Sequence, residues 1–143
     1  MRLFLDCEWN GHGGELISMA LVSEHGMEWY EVLGCKDPTP WVAENVMPVV
    51  GGRAAISRVE LAHSLSTFLC QFTTVHIVAD WPEDIAYFCK ALIVHPGERV
   101  RTPPLTMAIA RIDSTSGLPH NALADAIGIR TAVLDTERET TER

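Results

Sequence analysis

Residues 2–33, RLFLDCEWNGHGGELISMALVSEHGMEWYEVL, decide the fold of this chain. Arg2 to Glu8 reads as an opening strand, because Leu3, Phe4 and Leu5 form an apolar run suited to burial on both faces. ELISMALV at 15–22 and MEWYEVL at 27–33 read as two more strands joined by a short turn around Glu24 to Gly26. The three together make an antiparallel meander.

Side chains alternate along a strand, so Asp6 and Glu8 project to one side and Cys7 to the other. Mutual repulsion and partial burial raise the pKa of such a pair unless a cation compensates. Carboxylate oxygens are hard ligands, suited to Mg²⁺ or Mn²⁺. Two acids simply meeting solvent at a strand end are the commoner arrangement, so a metal site needs support from elsewhere in the chain.

That support lies in two later segments. TVHIVA at 74–79 reads as another buried strand. After it, Asp80, Trp81, Pro82, Glu83 and Asp84 lead into a helix with Ile85, Phe88, Cys89 and Leu92 as its inner stripe. Asp84 falls in the first turn, where the helix dipole favours an ionised carboxylate, either as a capping charge or as a ligand. Asp80, ahead of Pro82 and three residues before Glu83, is expected to be the N-cap of a capping box.

HNALAD at 120–125 opens the last helix, expected over Pro119 to Leu134 with Leu123, Ala126, Ile127 and Leu134 facing inward. His120 and Asp125 lie roughly 140 degrees apart on a helix, so His120 is expected at or before the first turn, free to swing, with Asp125 fixed on the helix body. A lone histidine at a helix start is more often an exposed polar residue. Gly128, costly inside a helix, points to close packing against the sheet or to a kink.

The remaining segments fit one domain over residues 1–134, followed by a charged tail at 135–143, frayed or a solvated extension of the helix. The chain has 143 residues, 47 % of them hydrophobic, enough for a proper core. Ser57 with Glu60 makes a capping box ahead of a stripe of Leu61, Leu65, Phe68, Leu69 and Phe72. LTMAIA at 105–110 is the expected fifth strand. The fold class is therefore α/β, a mixed five-stranded sheet flanked by helices, with the acids gathered at one end of the central strands.

Residues 61–79 carry no charge but divide into a helix and a strand, and Asp6 interrupts the opening apolar run, so neither a membrane span nor a signal peptide is expected. Cys7, Cys35, Cys70 and Cys89 have no metal-binding spacing and are expected as reduced thiols in a cytoplasmic protein. A net charge of −8 argues against broad adhesion to nucleic acid but not against binding a strand end. Arg53, Arg58, Lys90, Arg99, Arg101 and Arg111 remain available for backbone contacts. ERVRTPP at 98–104 is a candidate substrate loop, or a solvated one.

Asp-x-Glu on a first strand, Asp at the start of a middle helix and His-x-Ala-x-x-Asp near the C-terminus resemble the DEDDh exonucleases of the ribonuclease H-like fold. The similarity runs from Leu3 to about Leu134, and the DCEW opening and small size look closest to the compact exoribonuclease branch similar to ribonuclease T. The resemblance implies 3′–5′ hydrolysis of single-stranded RNA or DNA, RNA being favoured, with two divalent cations, Mg²⁺ or Mn²⁺. Asp6, Glu8 and Asp125 would hold the ion that activates water, Asp6 would bridge to a second, Asp84 would complete that site, and His120 would be the general base. It also implies a homodimer.

Two departures accompany the likeness. Asp80 stands where many members have Asn, and Trp9, Asn10 and Gly11 stand where many have Thr-Gly. Trp9 and Asn10 are accordingly candidate substrate contacts, Trp9 by stacking on a base; Trp9 equally suits a core position. The alternative function is a nucleic-acid-binding or assembly module that keeps the fold without turnover. A further alternative is another metal-dependent nuclease on a similar sheet.

Overall fold

The computed structural model describes residues 1–143. Strands β1 (Arg2–Trp9), β2 (Leu16–Ser23) and β3 (Glu28–Val32) form the expected meander. Helix α1 (Pro40–Asn45) and a 3-10 turn (Met47–Val49) follow, then α2 (Arg58–Leu69), β4 (Val75–Ala79) and α3 (Pro82–Ala91). A small hairpin of β5 (Ile93–His95) and β6 (Glu98–Arg99) precedes β7 (Leu105–Ile109) and the long α4 (Ala122–Thr141). The main sheet has the order β3-β2-β1-β4-β7, with β1, β2 and β3 antiparallel in turn and β1, β4 and β7 parallel.

The alternation of β1 sorts the layers. Leu3, Leu5 and Cys7 enter the main core with Leu61, Leu65 and Leu69 of α2 and Phe88 of α3. On the opposite side Phe4 packs with Val78 and with Ile129 of α4, while Ala20 and Val22 of β2 meet Ala122 and Ala126. The small alanines let α4 lie close across the meander. Each large side chain so buried contributes about 1.5–3 kcal/mol.

The caps explain where the helices begin. Ser57 and Glu60 form the full capping box expected for α2. Its stripe is buried through Leu69; Phe72 lies beyond the helix and packs edge-on to Phe68 at 5.5 Å. The last helix starts at Ala122 rather than Pro119, because the Asn121 side chain accepts the Ala124 N–H at 2.9 Å and also donates to the Val49 carbonyl at 2.8 Å. This pins α4 in a different rotation. Ala122, Ala126 and Ile129 face inward, whereas Ile127 is 37 % exposed.

The segment after Leu134 continues the helix to Thr141, and Glu137 pairs with Arg2 of β1. Gly128 is indeed a point of close approach, but to a loop and not to the sheet: a Cβ there would lie 2.6 Å from the Thr115 carbonyl oxygen. None of the helices is long and apolar enough to cross a membrane. All four cysteines are free, and Cys7 points into the core away from Asp6 and Glu8.

Candidate metal centre

Strand β1 outlasts its parallel neighbour. Pairing with β4 ends at Phe4 opposite Val78, so Asp6 and Glu8 run on into the gap where β4 gives way to residues 80–84. On the other side β2 still supports them, with Asp6 opposite Ala20 and Glu8 opposite Ser18, up to an irregularity between Glu8 and Trp9. Asp84, in the first turn of α3, is buried, and its Oδ1 accepts the Cys7 backbone N–H at 3.0 Å. Asp125 enters from the first turn of α4, the helix on the other face.

Carboxylate oxygens of Asp6, Glu8 and Asp125 lie within 4.8 Å of one another, and those of Asp6, Asp80 and Asp84 do the same. Asp6 belongs to both groups. Its Oδ2 is buried and has no hydrogen-bond partner. Burial, then the charges of Asp84, Glu8, Asp125 and Asp80, hold the Asp6 carboxyl well above the usual range. Burial and then Asp125 push Glu8 up to about 7. Burial raises Asp84 to about 8 against the lowering effect of the Cys7 N–H, with Asp80 and Glu8 adding to the rise. Asp80 is raised by burial and by Asp125.

No protein cation offsets this charge. The ion pairs of the molecule join Arg2 to Glu24 and Glu137, Arg53 to Glu31, and Arg138 to Asp135, all outside the cluster. A carboxylate common to two sets of hard ligands, with one of its own oxygens buried and unpartnered, fits a pair of small divalent cations.

The position of Asp80 corrects the expected cap. Trp81, with extended backbone at φ −131° and ψ 137°, is the N-cap of α3, and no side chain caps it. Pro82 at the first position removes one N–H that would need a cap, and Glu83 instead accepts from the Trp81 indole at 3.3 Å. Asp80 is thereby left facing Asp6 and Asp84. Sequence reasoning assigned it a structural task; that it follows directly on a buried strand is legible in the sequence, but that it stands opposite Asp6 is not.

His120 lies just ahead of α4, as its spacing from Asp125 requires, but its backbone is anchored. It is the one non-glycine residue with positive φ, +68°, and its N–H donates to Asp125 Oδ2 at 3.1 Å. A left-handed histidine costs about 1–2 kcal/mol, and strain of this kind concentrates at functional positions. The imidazole rests edge-on to Trp41 with ring centres 5.0 Å apart.

Trp9 stacks on Tyr87 at 5.0 Å and packs against the main core, yet also lines a cavity of about 370 Å³ beside the acids. Glu8, His12, Trp41, Trp81 and Glu83 line the same cavity. Asn10 is occupied by the loop: its side chain donates to the Asp37 carbonyl at 3.0 Å and accepts the Thr39 N–H at 2.8 Å. Gly14 closes that loop, since a Cβ there would lie 1.9 Å from the Asn10 carbonyl oxygen. A larger hollow of about 690 Å³, bordered by Asn10, Lys36, Asp37 and Arg58, contains none of the clustered acids.

The segment 98–104 does not reach the site. Its Pro104 carbonyl accepts the N–H of Val75, at the start of β4, whereas the acids lie past Ala79 at the strand's other end. Arg53 is committed to Glu31, and the Lys90 ammonium sits over the Tyr87 ring at 6.0 Å. No known protein family matches the chain, and no curated protein is significantly similar to it.

Proposed function

We propose that the chain is a metal-dependent 3′–5′ exonuclease of the DEDDh type on a ribonuclease H-like sheet, acting on single strands and preferring RNA to DNA. The two acid groups sharing Asp6, with His120 beside Asp125, carry this reading. The sheet order and the approach of α3 and α4 from opposite faces agree with it. Asp6, Glu8 and Asp125 would hold one Mg²⁺ or Mn²⁺, and Asp6 with Asp84 the other. When bound, such a pair polarises the phosphate and lowers the pKa of water.

The residues of the chain divide the rest of the work. His120 takes the proton from the attacking water, a task for imidazole because its ordinary titration falls near neutral pH. Its strained backbone and the bond to Asp125 hold it in place without a covalent or ionic tether. Trp9, Trp41 and Trp81 offer apolar walls to an unpaired terminal base, a type of contact worth about 1–3 kcal/mol per base. Duplex ends present no free base to such a cavity, which favours single strands.

A 5′-labelled single strand incubated with Mn²⁺ is expected to give a descending ladder and mononucleotide product. Matched RNA and DNA strands test the preference. His120→Ala is expected to lower the rate by about 10²–10⁴-fold while Mn²⁺ binding persists. A strand bound but never shortened would instead support the binding module, and wild-type rates in His120→Ala would remove the histidine from the mechanism.

A further inference from the structure

We propose that Asp80 is a direct ligand of the second cation, so that this chain holds that ion with three carboxylates, Asp6, Asp80 and Asp84, before any substrate arrives. This rests on the two-cation reading above. The three carboxylates lie within 4.8 Å of one another, and the one common to both acid groups, Asp6, has a buried oxygen with no partner. Apart from its own backbone N–H, nothing in the chain engages the Asp80 carboxylate. Trp81 takes the cap position, Glu83 is engaged by the Trp81 indole, and no ion pair of the molecule includes Asp80.

The added ligand changes the chemistry of the site. A Mg²⁺ site normally uses one or two carboxylates and completes its shell with water and substrate phosphate. A third carboxylate makes the ion independent of the phosphate. With Asp80 included, five carboxylates face two divalent cations, and the loaded centre keeps one negative charge where four carboxylates would leave it neutral. The second ion is therefore held more tightly and the incoming phosphate more weakly, as like charge opposes it.

Titration of the intact chain with Mn²⁺ in the absence of nucleic acid, followed by the electron paramagnetic resonance signal of the free ion, is expected to show two ions per chain. Asp80→Asn is expected to retain the first and weaken the second on the order of tenfold to a hundredfold. Its metal-free melting temperature should be no lower than wild type, which separates ligand loss from misfolding. Glu139→Gln removes the same charge about 21 Å along α4 from Asp125, and should alter neither step.

An Asp80→Asn titration that superimposes on wild type overturns the assignment. So does a wild-type chain that binds one Mn²⁺, or equal weakening in Asp80→Asn and Glu139→Gln. Wild type that binds no Mn²⁺ removes the two-cation reading itself and this inference with it.

Discussion

Two acids of the same sheet, each with buried oxygen, are treated in opposite ways. Glu31 on β3 is 9 % exposed and fully provided for: Arg53 donates to both its oxygens, at 3.0 and 3.3 Å, and the Ser64 hydroxyl donates at 3.1 Å. Asp6 on β1 has a buried oxygen with no donor at all and four further acids around it. The chain can therefore supply a cation to a buried carboxylate where the carboxylate is structural. At the end of β1 it withholds one, and the charge is relieved only by bound protons or by a cation that the chain does not itself supply.

Removing the unbalanced charge should show the contrast most strongly. Asp6→Asn is expected to lower the proposed exonuclease activity by at least about a hundredfold, yet to raise the melting temperature of the metal-free protein at pH 8, because repulsion is relieved. A fall in that temperature would mean that Asp6 is a structural acid after all.

The pH dependence of stability follows next in size. Glu8, raised to about 7, and Asp84, raised to about 8, bind protons more tightly folded than unfolded. Their contribution is present at low pH and is lost as pH rises from the ordinary carboxylate range near 4 through 7 to 8. Metal-free protein is thus expected to be less stable at pH 8 than at pH 5.5, on the order of 3 kcal/mol from Asp84, with a smaller addition from the partly exposed Glu8. Saturating Mn²⁺ should flatten that slope. Denaturant melts at the two pH values, with and without the ion, measure it; a metal-free slope of the opposite sign would contradict the described electrostatics.

Glu31→Gln should give the smallest change and the opposite sign. Losing the charge leaves Arg53, itself half exposed, without its partner, at a cost of about 1 kcal/mol and no change in Mn²⁺ stoichiometry. A stabilised variant, or one with altered metal binding, would erase the distinction between the two acids.

The legible parts of the molecule were those governed by short-range rules. Apolar runs and a two-residue period located β1, β2, β3, β4 and β7, and the Ser57–Glu60 spacing placed the start of α2 to the residue. Asp6 and Glu8 follow from the same alternation. What escaped depends on contacts between distant segments. The rotation of α4 is set by Asn121 reaching Val49, a bond that no helical periodicity encodes, and so Ile127 was placed inward when it faces out.

Asp80 escaped for a related reason. A proline at the first helical position is compatible with a cap on either preceding residue, and only the termination of β1–β4 pairing at Phe4 reveals what lies opposite. The short elements α1, β5 and β6 carry too few residues for a periodic signal. The segment 98–104 looked suited to substrate by charge alone, and charge says nothing about which end of a sheet a loop occupies.

The placement of the acids also fixes an order in time. Asp6 and Glu8 lie on β1, far ahead in the chain of Asp125 on α4 and of His120 just before it, and Arg2 of β1 grips α4 through Glu137. During translation the acid cluster cannot close until α4 has left the ribosome and packed across the meander, and such long-range closure is slow relative to local folding. A chain that has folded only from β1 to α3 thus holds Asp6, Glu8, Asp80 and Asp84 without Asp125, and the cluster is whole only once α4 has packed.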